Sequence, residues 1–144
     1  MQNNCNIFYA DDDIDDLNIF VDAAYEVCSS LKVITQENGD DLIRNLNNPP
    51  PYANLVFLDL NMPMKNGYEI LKEIKQSDQT KDVPVIIFST TSDVNAIQNT
   101  RMLGANYYIP KPSSFVSLKN AIKHCLSINW DTFMPEPEEF VYRS

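Results

Sequence analysis

Five short apolar runs alternate along the chain with segments of helical spacing, and this alternation constrains the fold more than any other feature. The runs are Ile7–Ala10, Leu31–Ile34, Leu55–Leu58, Val83–Phe88 and Tyr107–Ile109. They are almost continuously apolar, which is typical of parallel strands that are covered on both faces. The chain has 144 residues, which is enough for one domain with a buried core.

The segments between the runs carry apolar residues on one helical face. In the first segment these residues are Leu17, Phe20, Val21, Ala24, Tyr25 and Cys28. Similar segments follow Gly39, Gly67 and Ser92, and the last begins near Phe115, where Ser113 or Ser114 is placed to cap it. A strand followed by a helix, repeated five times, predicts an α/β fold with a doubly wound, five-stranded parallel sheet and helices on both faces.

Two segments fall outside this repeat. Asn47–Pro51 is predicted to be a loop, because consecutive prolines fit neither a helix nor a central strand. We expect a domain over residues 1–127 and a tail over 128–144 with four aromatic residues: Trp130, Phe133, Phe140 and Tyr142. Such a tail is too apolar for plain disorder. Trp130 and Phe133 are expected to cover the domain's own surface or that of a partner, including a second copy in a homodimer.

Charge and cysteine content narrow the classes of function. The net charge of -9 repels phosphate backbones and argues against non-specific nucleic-acid binding. No apolar run is long enough to span a membrane. Cys5, Cys28 and Cys125 are odd in number and far apart, as expected for reduced thiols in a cytoplasmic protein.

Polar residues follow four of the five apolar runs. They are Asp11, Asp12 and Asp13 after the first run, Asp59 and Asn61 within Asp59-Leu60-Asn61-Met62-Pro63 after the third, Ser89, Thr90 and Thr91 after the fourth, and Lys111, followed by Pro112, after the fifth. Parallel sheets of this kind bind ligands outside the carboxyl ends of their strands. Carboxylates, a hydroxyl and one ammonium are therefore expected to meet at one edge.

Carboxylates crowded at one edge repel each other, which raises a pKa or requires a cation, and Mg2+ with oxygen ligands is the natural candidate for that cation. Lys111 would supply a second positive charge. A carboxylate held beside both charges is a good phosphoryl acceptor, because they neutralise its oxygens in the transition state. Taken alone, the acids after the first run also fit the solvated start of a helix, and Asp59 also fits a turn. The prediction therefore depends on all of these residues occurring together at the strand ends.

In this order and spacing, the residues resemble the receiver domains of two-component response regulators, from about Asn6 to Leu126. The resemblance rests on the pair Asp11 and Asp12, on Asp59-Leu60-Asn61-Met62-Pro63 followed by Gly67, on Ser89-Thr90, and on Lys111-Pro112. It implies a flavodoxin-like sheet with strand order 2-1-3-4-5. It also implies a stand-alone module, similar to the chemotaxis regulators, that is a phosphoacceptor rather than an enzyme.

The resemblance assigns a role to each matching position. Asp59 would be the phosphoacceptor, and Mg2+ would be bound by Asp11, Asp12, Asp59 and the backbone carbonyl of Asn61. The side chains expected to contact the phosphoryl group are Ser89, Thr90 and Lys111. The Lys111–Pro112 bond would be cis. Tyr108 would be a switch residue whose ring moves when Ser89 is drawn toward the phosphoryl group.

The resemblance also implies partners. His124 is the only histidine, so the phosphoryl donor would be a sensor histidine kinase, a histidine phosphotransfer protein or a small acyl phosphate. The signal would leave through a downstream protein effector. An aspartyl-phosphate phosphatase would need a Gly-Thr-like continuation where Ile14-Asp15 stands, and a flavin carrier would need a different first loop. A phosphorylation-independent interaction module on the same fold stays open as the alternative.

Overall fold

The computed structural model describes residues 5–47, 53–62 and 64–143. It contains a five-stranded parallel sheet in the order β2-β1-β3-β4-β5. The strands are β1 Cys5–Ala10, β2 Lys32–Gln36, β3 Ala53–Leu58, β4 Val85–Ser89 and β5 Tyr107–Pro110. The helices are α1 Ile14–Val27, α2 Gly39–Leu46, α3 Gly67–Gln76, α4 Val94–Met102 and α5 Phe115–Ser127. The predicted fold is confirmed, and the expected loop over residues 48–51 lies outside the described residues.

The two faces of the sheet form two separate cores. Successive strand residues point to opposite faces, so Tyr9 packs under α1 and α5, whereas Phe8 packs under the other three helices. Phe20 of α1 is fully buried and its ring lies 4.5 Å from that of Tyr9 and 5.0 Å from that of Phe57. Burial on both faces explains why β1, β3 and β4 appear in the sequence as apolar runs, whereas β2, at the edge of the sheet, is partly exposed.

Local chemistry sets where the elements begin. β4 starts at Val85 instead of the expected Val83, because Pro84 has no backbone N–H to donate to a strand ladder. Of the two candidate caps for the last helix, Ser114 is the one whose side chain accepts a hydrogen bond from the helix, from the N–H of Ser117. Among the described residues, no helix is long and apolar enough to cross a membrane.

The tail packs on β5 of the same chain. The Tyr108 N–H donates to the carbonyl of Phe140 (3.0 Å), and the Tyr142 N–H donates to the carbonyl of Tyr108 (2.8 Å). Phe140 is 1% exposed, and the ring of Tyr107 contacts those of Trp130, Phe133 and Tyr142. The tail was expected to pack either on the domain's own surface or on a partner. In the structure it packs on the domain's own surface. The domain boundary at residue 127 stays a prediction.

Candidate functional site

β3 brings Asp59 to the carboxyl edge of the sheet, beside the end of β1. The Asp59 N–H donates to the carbonyl of Ala10 (3.1 Å), and the residue is 5% exposed. The chain then folds back, and the Gly67 N–H donates to the carbonyl of Leu60 (2.9 Å). A Cβ atom at residue 67 would lie 2.5 Å from the carbonyl oxygen of Asp59. The first residue of α3 therefore has to be glycine for this loop to close.

Three carboxylates form a cluster at this edge. Asp11, Asp12 and Asp59 each offer an oxygen within 4.8 Å of the others, and Asp11 and Asp59 are buried whereas Asp12 is exposed. Asp13, the third consecutive aspartate, caps α1 and accepts hydrogen bonds from the N–H groups of Asp15 and Asp16. The same acidic run thus serves both the cluster and the start of the helix.

The carboxylate of Asp11 has hydrogen-bond partners on both oxygens. Its Oδ1 accepts from the N–H of Asp13 (3.0 Å). Its Oδ2 accepts from the hydroxyl of Tyr9 (2.5 Å) and from the ammonium of Lys111 (2.7 Å). Burial, with the neighbouring Asp11, raises the pKa of Tyr9 well above its usual range, so the hydroxyl stays a donor. The sequence interpretation placed Tyr9 in the core alone, although its position two residues before Asp11 puts both side chains on one face.

Lys111 follows β5, where its N–H donates to the carbonyl of Ser89 (2.9 Å). Its ammonium lies among three carboxylates, 2.7 Å from Asp11, 2.9 Å from Asp16 and 3.9 Å from Asp59. Burial by itself would lower the pKa of Lys111, but the hydrogen bonds that its ammonium donates to Asp11 and Asp16, together with the charge of Asp59, outweigh burial and raise the pKa. Lys111 therefore stays charged. The contact with Asp16 was not predicted.

The peptide bond between Lys111 and Pro112 is trans, so the expected cis isomer is wrong. Trans is favoured before proline by about 0.5–1 kcal/mol unless tertiary contacts require the other isomer. With the bond in trans, the ammonium of Lys111 lies 2.7 Å from Asp11.

Electrostatic strain at the edge is concentrated on Asp59. Burial and the negative charge of Asp11 raise its pKa to about 7, although the ammonium of Lys111 and the N–H of Asn61 act in the opposite direction. One ammonium does not balance the clustered carboxylates, and a hard divalent cation with oxygen ligands would. The donor set therefore fits such an ion. The predicted role of the Asn61 carbonyl stays a prediction.

Ser89 and Tyr108 meet behind Asp59. Ser89 is fully buried, and its Oγ accepts a hydrogen bond from the N–H of Thr91 (3.3 Å). The Tyr108 hydroxyl donates to the carbonyl of Thr91 (2.7 Å), and burial raises the pKa of Tyr108 to about 12. Thr90 is exposed and lies at the rim, in a groove that Lys111 also lines.

Most of the chain matches the model of a known protein family. The family described as "Response regulator receiver domain" matches residues 7–123. This chain belongs to that family. The receiver domain is 35% identical over 101 residues to response regulator RR06 of Streptococcus pneumoniae, a match that covers 70% of this chain and 44% of RR06. A sequence match of 68 residues, 38% identical, covers 46% of response regulator Rcp1 of Synechocystis, so these sequence matches span about half the length of the two relatives.

Solved structures of receiver proteins superpose on most of the chain. The phosphorylated cyanobacterial phytochrome response regulator RcpA is 29% identical, with a TM-score of 0.75 over 90% of this chain and 96% of RcpA. A Mn2+-bound form of Rcp1 is 25% identical, with a TM-score of 0.71 over 91% of this chain and 98% of Rcp1. The family resemblance and the flavodoxin-like sheet order predicted from the sequence are both confirmed.

Proposed function

We propose that this receiver domain is a Mg2+-dependent phosphoacceptor in a histidine–aspartate phosphorelay and that Asp59 is the residue that is phosphorylated. The observation that carries the proposal is the arrangement around Asp59, which is 5% exposed and lies beside two carboxylates and the ammonium of Lys111. A buried acid with a cation on one side and a metal-binding acidic pair on the other is suited to accept a phosphoryl group.

In the proposed reaction, a carboxylate oxygen of Asp59 attacks the phosphorus of the donor. A P–N bond breaks when the donor is a phosphohistidine, and a P–O bond breaks when it is an acyl phosphate. The leaving group keeps the electron pair of that bond, and an imidazole takes a proton from water. The residues assigned to the transferred phosphoryl oxygens are Lys111, Ser89 and Thr90. No general base is required, because with Mg2+ bound the carboxylate of Asp59 would be ionised and therefore already a nucleophile.

The metal site would consist of Asp11, Asp12, Asp59 and the backbone carbonyl of Asn61. When bound, Mg2+ would neutralise the negative charge that builds up as the phosphoryl group approaches. The Tyr9 hydroxyl and the Asp13 N–H, at 2.5 and 3.0 Å, orient the carboxylate of Asp11. The description of the relative Rcp1 as Mn2+-bound supports a divalent ion at this edge.

The output would be a change on the face around β5. Movement of Ser89 toward the phosphoryl group would break its hydrogen bond with the N–H of Thr91, and the space that Ser89 leaves would admit the Tyr108 ring. The partners in this proposal are a sensor histidine kinase or a histidine phosphotransfer protein upstream and a protein effector downstream, in the cytoplasm. The net charge of -9 argues against non-specific binding to nucleic acid.

One observation favours the alternative, a phosphorylation-independent interaction module. Tyr108 is fully buried and held by the carbonyl of Thr91, by the backbone of Phe140 and by the Phe140 ring. None of these contacts involves Asp59. Under the alternative, the face around β5 would bind its partner equally well whether Asp59 is modified or not.

The experiment that separates the two functions is labelling with a small radioactive phosphodonor in the presence of Mg2+. We expect label on the wild type and none on Asp59→Asn. Asp13→Asn is the matched control, because it also removes one acid of this edge while asparagine still caps the helix. Label that persists in Asp59→Asn, or that never appears on the wild type with the small donor or a cognate kinase, would contradict the proposal.

A further inference from the structure

Asp16 holds the one ammonium that the proposed reaction needs. Lys111 has three N–H donors, and its two short contacts are with Asp11 at 2.7 Å and Asp16 at 2.9 Å. The nearest oxygen of Asp59 is 3.9 Å from the same nitrogen, which is beyond hydrogen-bond distance. The lysine is therefore bonded to two other carboxylates and not to the proposed phosphoacceptor.

The position of Asp16 follows from the start of α1. Asp13 caps the helix by accepting from the N–H of Asp16, so Asp16 lies in the first turn, next to the acidic cluster. Its side chain is 36% exposed and reaches a lysine that lies 95 residues later in the chain. It is not a member of the group of Asp11, Asp12 and Asp59 that could hold a metal. Within the part of the chain that the structure describes, the carboxylate of Asp16 makes its hydrogen bond and ion pair with Lys111.

We propose that Asp16 is a positioning residue that holds the Lys111 ammonium off Asp59 and competes for it with the incoming phosphoryl group. This inference rests on the proposed function. Asp11 can exchange the lysine for a metal ion without becoming an uncompensated charge. Asp16 has no such exchange, so its attraction for Lys111 has to be overcome each time the ammonium moves to a phosphoryl oxygen. The Asp16–Lys111 pair therefore weakens the binding of any tetrahedral phosphate-like group at Asp59.

The test compares Asp16→Asn with Asp15→Asn in the full chain. Both variants remove one charge from the first turn of α1, and of the described ion pairs none joins Asp15 to Lys111. The probe is fluoroberyllate, a phosphoryl analogue, titrated with saturating Mg2+ and followed by NMR. We expect the half-saturating concentration to fall about two- to fivefold in Asp16→Asn, the range for a partly exposed ion pair, and to stay near the wild-type value in Asp15→Asn.

A second readout needs neither metal nor phosphodonor. The 15N signal of the Lys111 ammonium, assigned with Lys111→Met, reports its hydrogen-bond partners and its exchange with water. In Asp16→Asn we expect this signal to shift and its exchange to accelerate, whereas Asp15→Asn leaves it unchanged. Asp16→Ala keeps a good helix former at the position and serves as a second variant if the asparagine form is poorly folded.

Equal fluoroberyllate affinities in Asp16→Asn and Asp15→Asn, or an ammonium signal that is the same in both, would overturn the inference. A wild type that labels normally at Asp59 while these two variants behave alike leaves the proposed function in place and removes only the role of Asp16. A wild type that never labels overturns the proposed function, and the ammonium signal then reports only the resting contact between Asp16 and Lys111.

Discussion

At the scale of single residues, the charge of Asp59 opposes folding when no metal is bound. Burial and Asp11 raise its pKa from 3.8 to about 7, so between these values the folded chain holds a proton that the unfolded chain has lost. Because the folded state binds more protons in this window, the contribution of Asp59 to stability falls as the pH rises from about 4 to 7. The proposed phosphoacceptor is therefore a strained group in the metal-free protein.

Asp59→Asn is expected to stabilise the protein in EDTA. At pH 8 the free energy of unfolding should rise by about 2 kcal/mol, because a neutral amide replaces a buried charge beside Asp11. At pH 5 the gain should be smaller, since the wild-type carboxyl is mostly protonated there. Urea unfolding at the two pH values measures both changes. A gain that does not grow from pH 5 to pH 8 would contradict the assigned pKa shift.

Tyr9→Phe tests whether the hydroxyl of Tyr9 supports the carboxylate of Asp11. The substitution removes a buried donor 2.5 Å from Asp11 Oδ2 and keeps the ring in the core. We expect a loss of about 1–3 kcal/mol in the free energy of unfolding, the cost of a hydrogen bond taken from a charged group. Tyr25→Phe, on the exposed side of α1, is the control and should change little. Equal stabilities of the two variants would contradict this role for Tyr9.

At the scale of elements, the return of the chain from β3 to α3 depends on one glycine. Gly67→Ala would place a Cβ 2.6 Å from the Cα of Leu60 and 2.5 Å from the Asp59 carbonyl, and backbone cannot yield as a side chain can. We expect a loss of about 3 kcal/mol or more in stability, together with loss of labelling at Asp59. Gly39→Ala is the comparison, because there the close atoms belong to the side chain of Ile70 instead of to the backbone. Urea unfolding and labelling of both variants check the difference.

The tail is an element in its own right, since it adds a bridge to the free edge of β5. Val141 pairs in parallel with Tyr108, and Phe140 is 1% exposed against the ring of that residue. Phe140→Ala should cost about 3–5 kcal/mol, the usual loss for a buried phenylalanine. Met134→Ala, at a residue that is 85% exposed, should be neutral. Thermal unfolding compares the two, and equal midpoints would mean that the tail does not support the domain.

At the scale of the whole molecule, truncation after Leu126 would uncover β5. The edge of that strand and the aromatic face of Tyr107 would then be open to pairing with another chain. We expect a lower midpoint of thermal unfolding and more self-association than in the full chain. Sedimentation velocity at several concentrations measures the second effect. A truncated chain with unchanged stability and oligomeric state would remove the structural role of the tail.

Much of the fold was accessible from the sequence because its signals are local. A parallel sheet with two cores needs strands that are apolar on both faces, and such strands appear as runs like Leu55–Leu58. The carboxyl ends of parallel strands lie at one edge of a sheet, so the sequence predicted that Asp11, Asp59 and Lys111 would lie close together. Their distances confirm that they do.

Other features were decided only by tertiary structure, because they join residues with no local pattern between them. The pairing of Lys111 with Asp16 depends on how α1 and β5 are placed across the sheet. The hydroxyl of Tyr9 could be assigned to Asp11 only once the face of β1 was known. The packing of Phe140 against β5 depends on the outer edge of that strand, where the tail pairs with Tyr108. Hydrophobic periodicity determines which elements form, whereas ion pairs, buried donors and edge contacts follow from how those elements pack.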